Sequence, residues 1–295
     1  MRKRSFLVII LIILNNFLVG CSTETEKLTI GMIPVSDAAE MKSEFEPIEH
    51  YLEKQLDKEI EVYIADNYAG LVEGMKDGII DIGWFGAFSF IAAESQIELT
   101  PLVVQERKES GLYYQSYIIT KNDSGIETLE DLEDKSFAFV DPGSTSGFVL
   151  PYALLKSRNI DIESYFSNII YSGTHDQVPE DILSGKVEAG AISSIQFDKL
   201  EADGKLIKDD FKIIWHSDHI PGSPYVARTD LDRGVKEGFI ESMLNIHEEI
   251  PNELHKFDAS IERYVEVDNN IYHSIRNIAT ILGKDYMYEY FLKGE

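Results

Sequence analysis

From Leu28 onward the chain switches repeatedly between two hydrophobic rhythms. Compact apolar runs at Leu28–Ile33, Ile60–Ala65 and Ile79–Trp84 predict β-strands. Between them, Phe45, Ile48, Leu52 and Leu56 recur at helical spacing, and Tyr68–Lys76 and the segment through Phe90 and Ala93 also predict helices. The pattern restarts in the middle. Gln115–Thr120, Phe137–Val140, Ile169–Ser172, Val187–Ile192 and Phe211–Trp215 predict strands. Leu129–Leu132, Ser144–Arg158 and His175–Leu183 predict helices. Beyond Pro221 and Pro224 the pattern is mainly helical, with Phe239, Met243, Ile246 and Ile250 on one periodic face.

Strand–helix alternation of this kind implies βαβ units and mostly parallel sheets. The chain has no internal repeat and no low-complexity linker. The predicted fold is therefore α/β, with two lobes of similar size, each a mostly parallel sheet flanked by helices. A cleft lies between them, crossed by the chain near Tyr114–Tyr117 and His216–Pro224. Residues 28–116 together with 221–295 are expected to form the first lobe and residues 117–220 the second.

The first 27 residues belong to neither rhythm. Arg2, Lys3 and Arg4 precede Phe6–Leu14, an unbroken apolar run. The run is shorter than the roughly 20 residues that span a bilayer, and it suits a secretory signal peptide over residues 1–20. Leu18-Val19-Gly20-Cys21 follows and resembles the lipobox of bacterial lipoproteins. Cys21 is the only cysteine, so no disulfide can form within the chain, and lipidation explains its presence. Residues 21–27 then read as a lipidated polar tether, which places the protein on the extracytoplasmic face of the cell membrane, held there by lipid alone.

Charge narrows the functional classes. The chain carries 27 basic and 52 acidic side chains, a net charge of −25. Nucleic-acid binding needs a basic patch, and docking on anionic lipid through the protein surface needs the same. Neither fits. Any anion site in this chain must be attractive locally, against the overall field.

One stretch offers such a site. Ser144, Thr145 and Ser146 follow a strand that ends at Asp141-Pro142-Gly143 and open a predicted helix. One hydroxyl suffices for a helix cap. Three exceed that need. A helix N-terminus also presents free N–H groups and a partial positive charge, which favour an oxyanion, and Gly147 leaves room for close approach. His175 stands in a similar strand–turn–helix position, where its imidazole, neutral or charged, can donate to an anion.

These residues carry a family resemblance. Asp123-Ser124-Gly125-Ile126, Leu129-Glu130-Asp131-Leu132, Phe137–Pro142 and Ser144-Thr145-Ser146-Gly147 resemble the phosphonate- and phosphite-binding proteins of ABC importers. So do Tyr171-Ser172-Gly173-Thr174-His175-Asp176 and Trp215-His216-Ser217 followed by Ile220-Pro221, with Tyr68 and Asp81–Gly86 upstream. The resemblance spans roughly residues 28 to 290. It implies a type II two-lobed solute-binding fold and a small phosphorus oxyanion ligand, with ABC permease and ATPase subunits as partners and a monomeric binding protein. Carried over residue by residue, it assigns Tyr68, Tyr114, Ser144, Thr145, Ser146 and His175 to the ligand. Tyr113 is the alternative to Tyr114, and Trp84-Phe85-Gly86 is a further candidate through backbone N–H groups. No arginine or lysine occurs in these segments. Relatives that take aminoalkyl phosphonates place carboxylates where Ile195 and Ser223 fall here. The resemblance therefore implies a small ligand without an amine, unless Asp198, Asp218 or Glu188 replaces the missing acids.

An enzyme is the first rival. The chain has no Gly-rich phosphate loop, no HExxH and no clustered Cys/His, so no cofactor and no metal are expected. Ser144 with His175 as base would be a nucleophilic pair, yet Gly-Ser-Thr-Ser-Gly is not a nucleophile elbow. A ligand sensor serving a membrane kinase is the second rival, and a binding protein for sulfonate or nitrate is the third.

Overall fold

The structure, a computed structural model, describes residues 27–286 and residue 291. The expected signal peptide, Cys21 and the tether up to residue 26 lie outside the described residues. In chain order the strands are β1 (Lys27–Met32), β2 (Glu59–Ile64), β3 (Ile82–Trp84), β4 (Leu99–Arg107), β5 (Tyr113–Tyr114), β6 (Ser116–Lys121), β7 (Ser136–Phe139), β8 (Asn168–Tyr171), β9 (Ala189–Ser193), β10 (Phe211–His216), β11 (Ile220–Pro221), β12 (Pro224–Arg228) and β13 (Ile261–Glu266). The α-helices are α1 (Ala38–Leu56), α2 (Tyr68–Lys76), α3 (Ala87–Glu94), α4 (Leu150–Ser157), α5 (Ile162–Tyr165), α6 (Gln177–Leu183), α7 (Ser194–Ala202), α8 (Arg233–Glu249), α9 (Pro251–Phe257) and α10 (His273–Tyr286).

Two sheets organise these elements. One has six strands in the order β13-β4-β12-β3-β1-β2, and the other has five in the order β10-β6-β9-β7-β8. The α/β character and the two lobes match the sequence reading, but the sheets are mixed rather than mostly parallel. β1 runs parallel to β2 and β3, whereas β12 is antiparallel to β3 and β4. In the second sheet β7 is parallel to β8 and β9, and β6 is antiparallel to β9 and β10.

Three strands of the six-stranded sheet escaped the sequence pattern. β4 contains Pro101 and ends in Gln105-Glu106-Arg107, so it reads as neither an alternating nor a continuous apolar run. Proline inside a sheet is confined to edges and bulges, and here the β4–β12 register slips between Tyr225 and Val226, beside Pro101. β12 starts at Pro224, and β13 (Ile-Glu-Arg-Tyr-Val-Glu) is half charged. The C-terminal third is thus not simply helical: β12 and β13 lie with α8, α9 and α10.

The two lobes meet where the chain crosses. β5 and β11 form a two-stranded antiparallel ladder that pairs Ile220 with Tyr114 and Pro221 with Tyr113. The C-terminal segment makes a further link. The Tyr286 hydroxyl donates to the Pro142 carbonyl at 2.9 Å, its ring stacks on Tyr152 at 5.4 Å, and Phe291 packs edge-on against Phe88.

Local rules place the elements that matter for the site. Asp37 caps α1 by accepting from the Ala39 and Glu40 N–H groups, and Asn67 caps α2 by accepting from Gly70. Gly31 in β1 lets α2 and Ile80 press onto the sheet. A Cβ there would stand 2.6 Å from Leu71 Cδ1 and 2.7 Å from Ile80 Cδ1, both buried. Because α2 begins at Tyr68, this close packing also fixes where Tyr68 enters the cleft. Gly31→Ala is expected to destabilise the protein by about 1–3 kcal/mol through overpacking. Denaturant unfolding checks this, and an unchanged midpoint would show that α2 can retreat from the sheet without cost.

Candidate anion-binding cleft

The predicted helix from Ser144 opens as something wider. Residues Thr145–Val149 form a π-type turn, in which Phe148 and Val149 both donate to the Ser144 carbonyl at 3.0 and 2.9 Å, before α4 begins. Such wide turns recur at functional sites because they splay side chains that a regular helix would stagger. The three hydroxyls divide their work. Ser144 Oγ caps the turn by accepting from the Gly147 N–H at 3.0 Å. Thr145 Oγ1 accepts from the Phe88 N–H at 2.8 Å, reaching across to the first turn of α3 in the other lobe. Ser146 and Thr145 lie beside the Tyr114 hydroxyl and favour its ionised form, against burial. Gly147 does not open space for a ligand, as its sequence position had implied. The place its Cβ would take is filled by Val140, so the glycine serves the packing of the turn itself.

His175 precedes α6 by two residues and is buried. Its N–H donates to the Val35 carbonyl of the opposite lobe at 3.0 Å. The ring is held from behind: the Ser193 N–H donates to Nδ1 at 3.1 Å, and Nε2 faces Ser144 Oγ at 3.2 Å. A backbone N–H can only donate, so Nδ1 is an acceptor and the hydrogen of the neutral ring sits on Nε2. Burial pushes the imidazole down to about 3, so the ring is neutral near pH 7. Of the two forms the sequence left open, the neutral one is present. The same tautomer argues against a nucleophilic Ser144. An Nε2 that already carries hydrogen cannot take a hydroxyl proton, and Nδ1 meets an amide where a catalytic pair needs an orienting acid.

Tyr68 and Tyr114 come from the six-stranded lobe and from the crossing ladder. Both are buried, and burial raises both hydroxyls, that of Tyr114 to about 12. They are donors throughout the physiological range. The Tyr68 hydroxyl lies beside Ser144, and the Tyr68 N–H donates to Asp141 Oδ2 at 3.4 Å. Burial lifts the Asp141 carboxyl to about 6, against the stabilising Gly143 and Tyr68 N–H groups. Tyr113 turns outward beside His219, so Tyr114 is the tyrosine that faces the cleft.

All six candidates, Tyr68, Tyr114, Ser144, Thr145, Ser146 and His175, line one cavity of about 60 Å3 between the lobes. That is room for a few water-sized groups. Gly86 and Trp84 line it as well. The Phe85 N–H is spent on the Pro224 carbonyl at 3.0 Å, so the backbone role considered for that residue does not hold. Trp84 contributes its side chain, and its buried Nε1 has no partner among the described residues. Ile195 and Ser223 line the cavity too. Asp198, Asp218 and Glu188 do not: Asp198 pairs with Lys208, Glu188 accepts from the Ser136 N–H, and Asp218 is exposed.

Sequence reasoning missed four charged residues on the cavity wall: Glu44, Arg107, Lys199 and Asp258. They stand far apart in the chain, and no local motif marks them. Arg107 Nη1 pairs with Asp258 Oδ2 at 2.7 Å, and Nη2 donates to Gln105 Oε1 at 3.1 Å. Burial raises the Asp258 carboxyl, but Arg107 and Ser260 outweigh it and hold the group below its usual range. Lys199 Nζ meets Glu44 Oε1 across the cleft at 3.0 Å. The picture of a site without Arg or Lys is thereby corrected: two cations are present, each neutralised by an acid that also faces the cavity.

Comparison with known proteins identifies the family. The family described as "ABC transporter, phosphonate, periplasmic substrate-binding protein" matches residues 30–272. The phosphate-import protein PhnD of Mycolicibacterium smegmatis is 36% identical over 217 residues, covering 70% of this chain and 67% of its own. The phosphonates-binding periplasmic protein of Escherichia coli is 28% identical over 227 residues, covering 75% and 67%. In fold, the chain is similar to PhnD1 of Prochlorococcus marinus, solved in complex with methylphosphonate, with a TM-score of 0.76 at 22% identity over 88% of this chain and 98% of that one.

Because His175 is locked as the Nε2–H tautomer, nitrogen NMR of the ring should show that neutral form from pH 8 down to pH 5. A titration near the ordinary histidine value of about 6.5 would overturn the assignment. The linkage has a definite sign. The unfolded chain takes up this proton near pH 6.5 and the folded one only near 3, so His175 costs stability as pH falls through that window and nothing above it.

Proposed function

The chain belongs to the phosphonate family of ABC-transporter periplasmic substrate-binding proteins, and from that premise we propose that it captures a small phosphorus oxyanion in the cavity between its lobes. The ligand-binding residues in this reading are Tyr68, Tyr114, Ser144, Thr145, Ser146 and His175. Members of this family bind solute for an importer and are not enzymes. The observation that carries the reading is the convergence of these six uncharged hydrogen-bond donors on one buried cavity at the lobe interface.

The chemistry follows from the donors. A tetrahedral oxyanion offers three oxygens with several lone pairs. Three hydroxyls, two phenols and one imidazole N–H can meet them without a net positive charge. Bonds from such donors to an anion are short and strong in a dry cleft. Trp84 Nε1 is available as a further donor. Met41, Ile195 and Phe257 also line the cavity, and such apolar groups suit hydrogen or a short alkyl group on phosphorus better than a charged one. Phosphite and methylphosphonate are the favoured ligands, with phosphate third. The lobes of this reading comprise residues 28–116 plus 221–295 and residues 117–220. The protein acts as a monomer that delivers ligand to its permease and ATPase.

Removing one partner of a charged hydrogen bond costs about 1.5–3 kcal/mol, and about 1.4 kcal/mol is a factor of ten in affinity. Ser144→Ala, Ser146→Ala and His175→Ala should therefore each weaken methylphosphonate binding roughly tenfold or more in calorimetry. Wild-type affinity in all three would remove these residues from the site.

The lipid anchor is part of the same proposal. Cys21 carries acyl chains after signal cleavage, since two or more chains give stable attachment where one does not. Cell fractionation of Cys21→Ser is expected to release the protein from the membrane. Full retention of that variant would sink the anchoring idea.

A further inference from the structure

The cavity that contains the oxyanion donors also touches Glu44 on α1 and Lys199 on α7, one from each lobe. Their side chains are 24% and 19% exposed, so both are largely withdrawn from water. Lys199 Nζ lies 3.0 Å from Glu44 Oε1 and 2.8 Å from Asp203 Oδ2. Among the described residues, Lys199 is the basic group that Glu44 meets. Burial, with Glu40 and Asp203 nearby, raises the Glu44 carboxyl, and Lys199 is the cation that opposes the rise. This pair differs from Arg107–Asp258. There the guanidinium is also bonded to Gln105 and Ser260, and Asp258 also accepts from the Ser260 N–H, so neither group is free to exchange partners.

We infer that the Lys199 ammonium occupies the position a ligand ammonium would take beside Glu44, and so makes Lys199 the residue that excludes aminoalkyl phosphonates. This inference rests on the phosphorus-oxyanion reading of the cavity. With Ile195 and Ser223 supplying no carboxylate, Glu44 is the cavity acid able to accept a ligand amine, and Lys199 already holds it. A bound amine would have to expel Lys199 or stand unpaired in a dry place, and either is unfavourable. Removing the lysine reverses the sign. Glu44 is then a desolvated acid without its cation, and a ligand ammonium restores the pair.

The test is calorimetry of wild type, Lys199→Met, Lys199→Gln and Lys199→Met/Glu44→Gln with methylphosphonate, 2-aminoethylphosphonate and 3-aminopropylphosphonate. The readout is the ratio of affinities for amine and methyl ligands within each protein. Any general loosening of lobe closure cancels in that ratio. Wild type is expected to favour methylphosphonate. In both single variants the ratio should shift at least tenfold toward one of the amines, and the double variant should abolish the shift. An unmoved ratio in single variants that still bind methylphosphonate overturns the inference alone. So does a shift that survives Glu44→Gln. A wild type that binds none of the three ligands overturns the phosphorus-oxyanion reading, and this inference with it.

Discussion

The Ser193 amide, 3.1 Å from His175 Nδ1, fixes what kind of site this cleft can be. The bond makes His175 a donor at Nε2 and turns the imidazole toward Ser144, while burial keeps the ring neutral. Without it the buried ring could flip, and the hydroxyls around it would face an acceptor on some occasions and a donor on others. Ser193 is the last residue of β9, at the centre of the five-stranded sheet, so the donor's orientation is set by backbone that packing holds rigid. The distinction between a binding pocket and a hydrolase lies in the same bond. An acid at Nδ1 would have made a base of this histidine, and an amide makes it a donor only.

The strongly acidic surface then ceases to be a contradiction. The charged groups on the cavity wall, Glu44, Arg107, Lys199 and Asp258, cancel in pairs, and the six proposed donors are themselves uncharged. Local dipoles and hydroxyls act over the length of a hydrogen bond, where the surrounding acids are screened by water and counterions. A cavity built on a bare cation would have been attractive to any small anion. One built on oriented neutral donors discriminates by shape, because each donor left unmatched by the wrong ligand goes unsatisfied in a dry cleft.

Much of this was legible in the chain, and the reasons it was legible are local. Ser144-Thr145-Ser146 after Asp141-Pro142-Gly143 is a contiguous signal, and so is the turn before His175. Each sits where a strand end meets a helix start, and the structure brings both to one cavity with Tyr68 and Tyr114. What stayed hidden depends on contacts distant in sequence. Arg107 and Asp258 are neighbours only because β4 lies beside β13, and β4 itself was masked by Pro101, which a bulge accommodates. The parallel sheets expected from βαβ alternation became mixed for a related reason. β12 returns after the crossing and inserts between β3 and β4, and nothing in Pro-Tyr-Val-Ala-Arg announces that pairing.

The two ion pairs on the cavity wall separate scaffold from selectivity. Arg107–Asp258 joins β4 to the segment before β13 within one lobe, and Gln105 extends it to the Tyr264 hydroxyl. Lys199–Glu44 spans both lobes, as does the neighbouring Lys205–Glu40 pair. Exposed pairs of the second kind add little stability, but in the proposed reading the half-buried one bears on which ligands the cavity admits. A ligand that fits leaves Lys199 and Glu44 paired, and one that intrudes on them breaks a contact between the lobes. On that reading the donors around Ser144 hold the oxyanion, and the cross-lobe pair limits what can be attached to it.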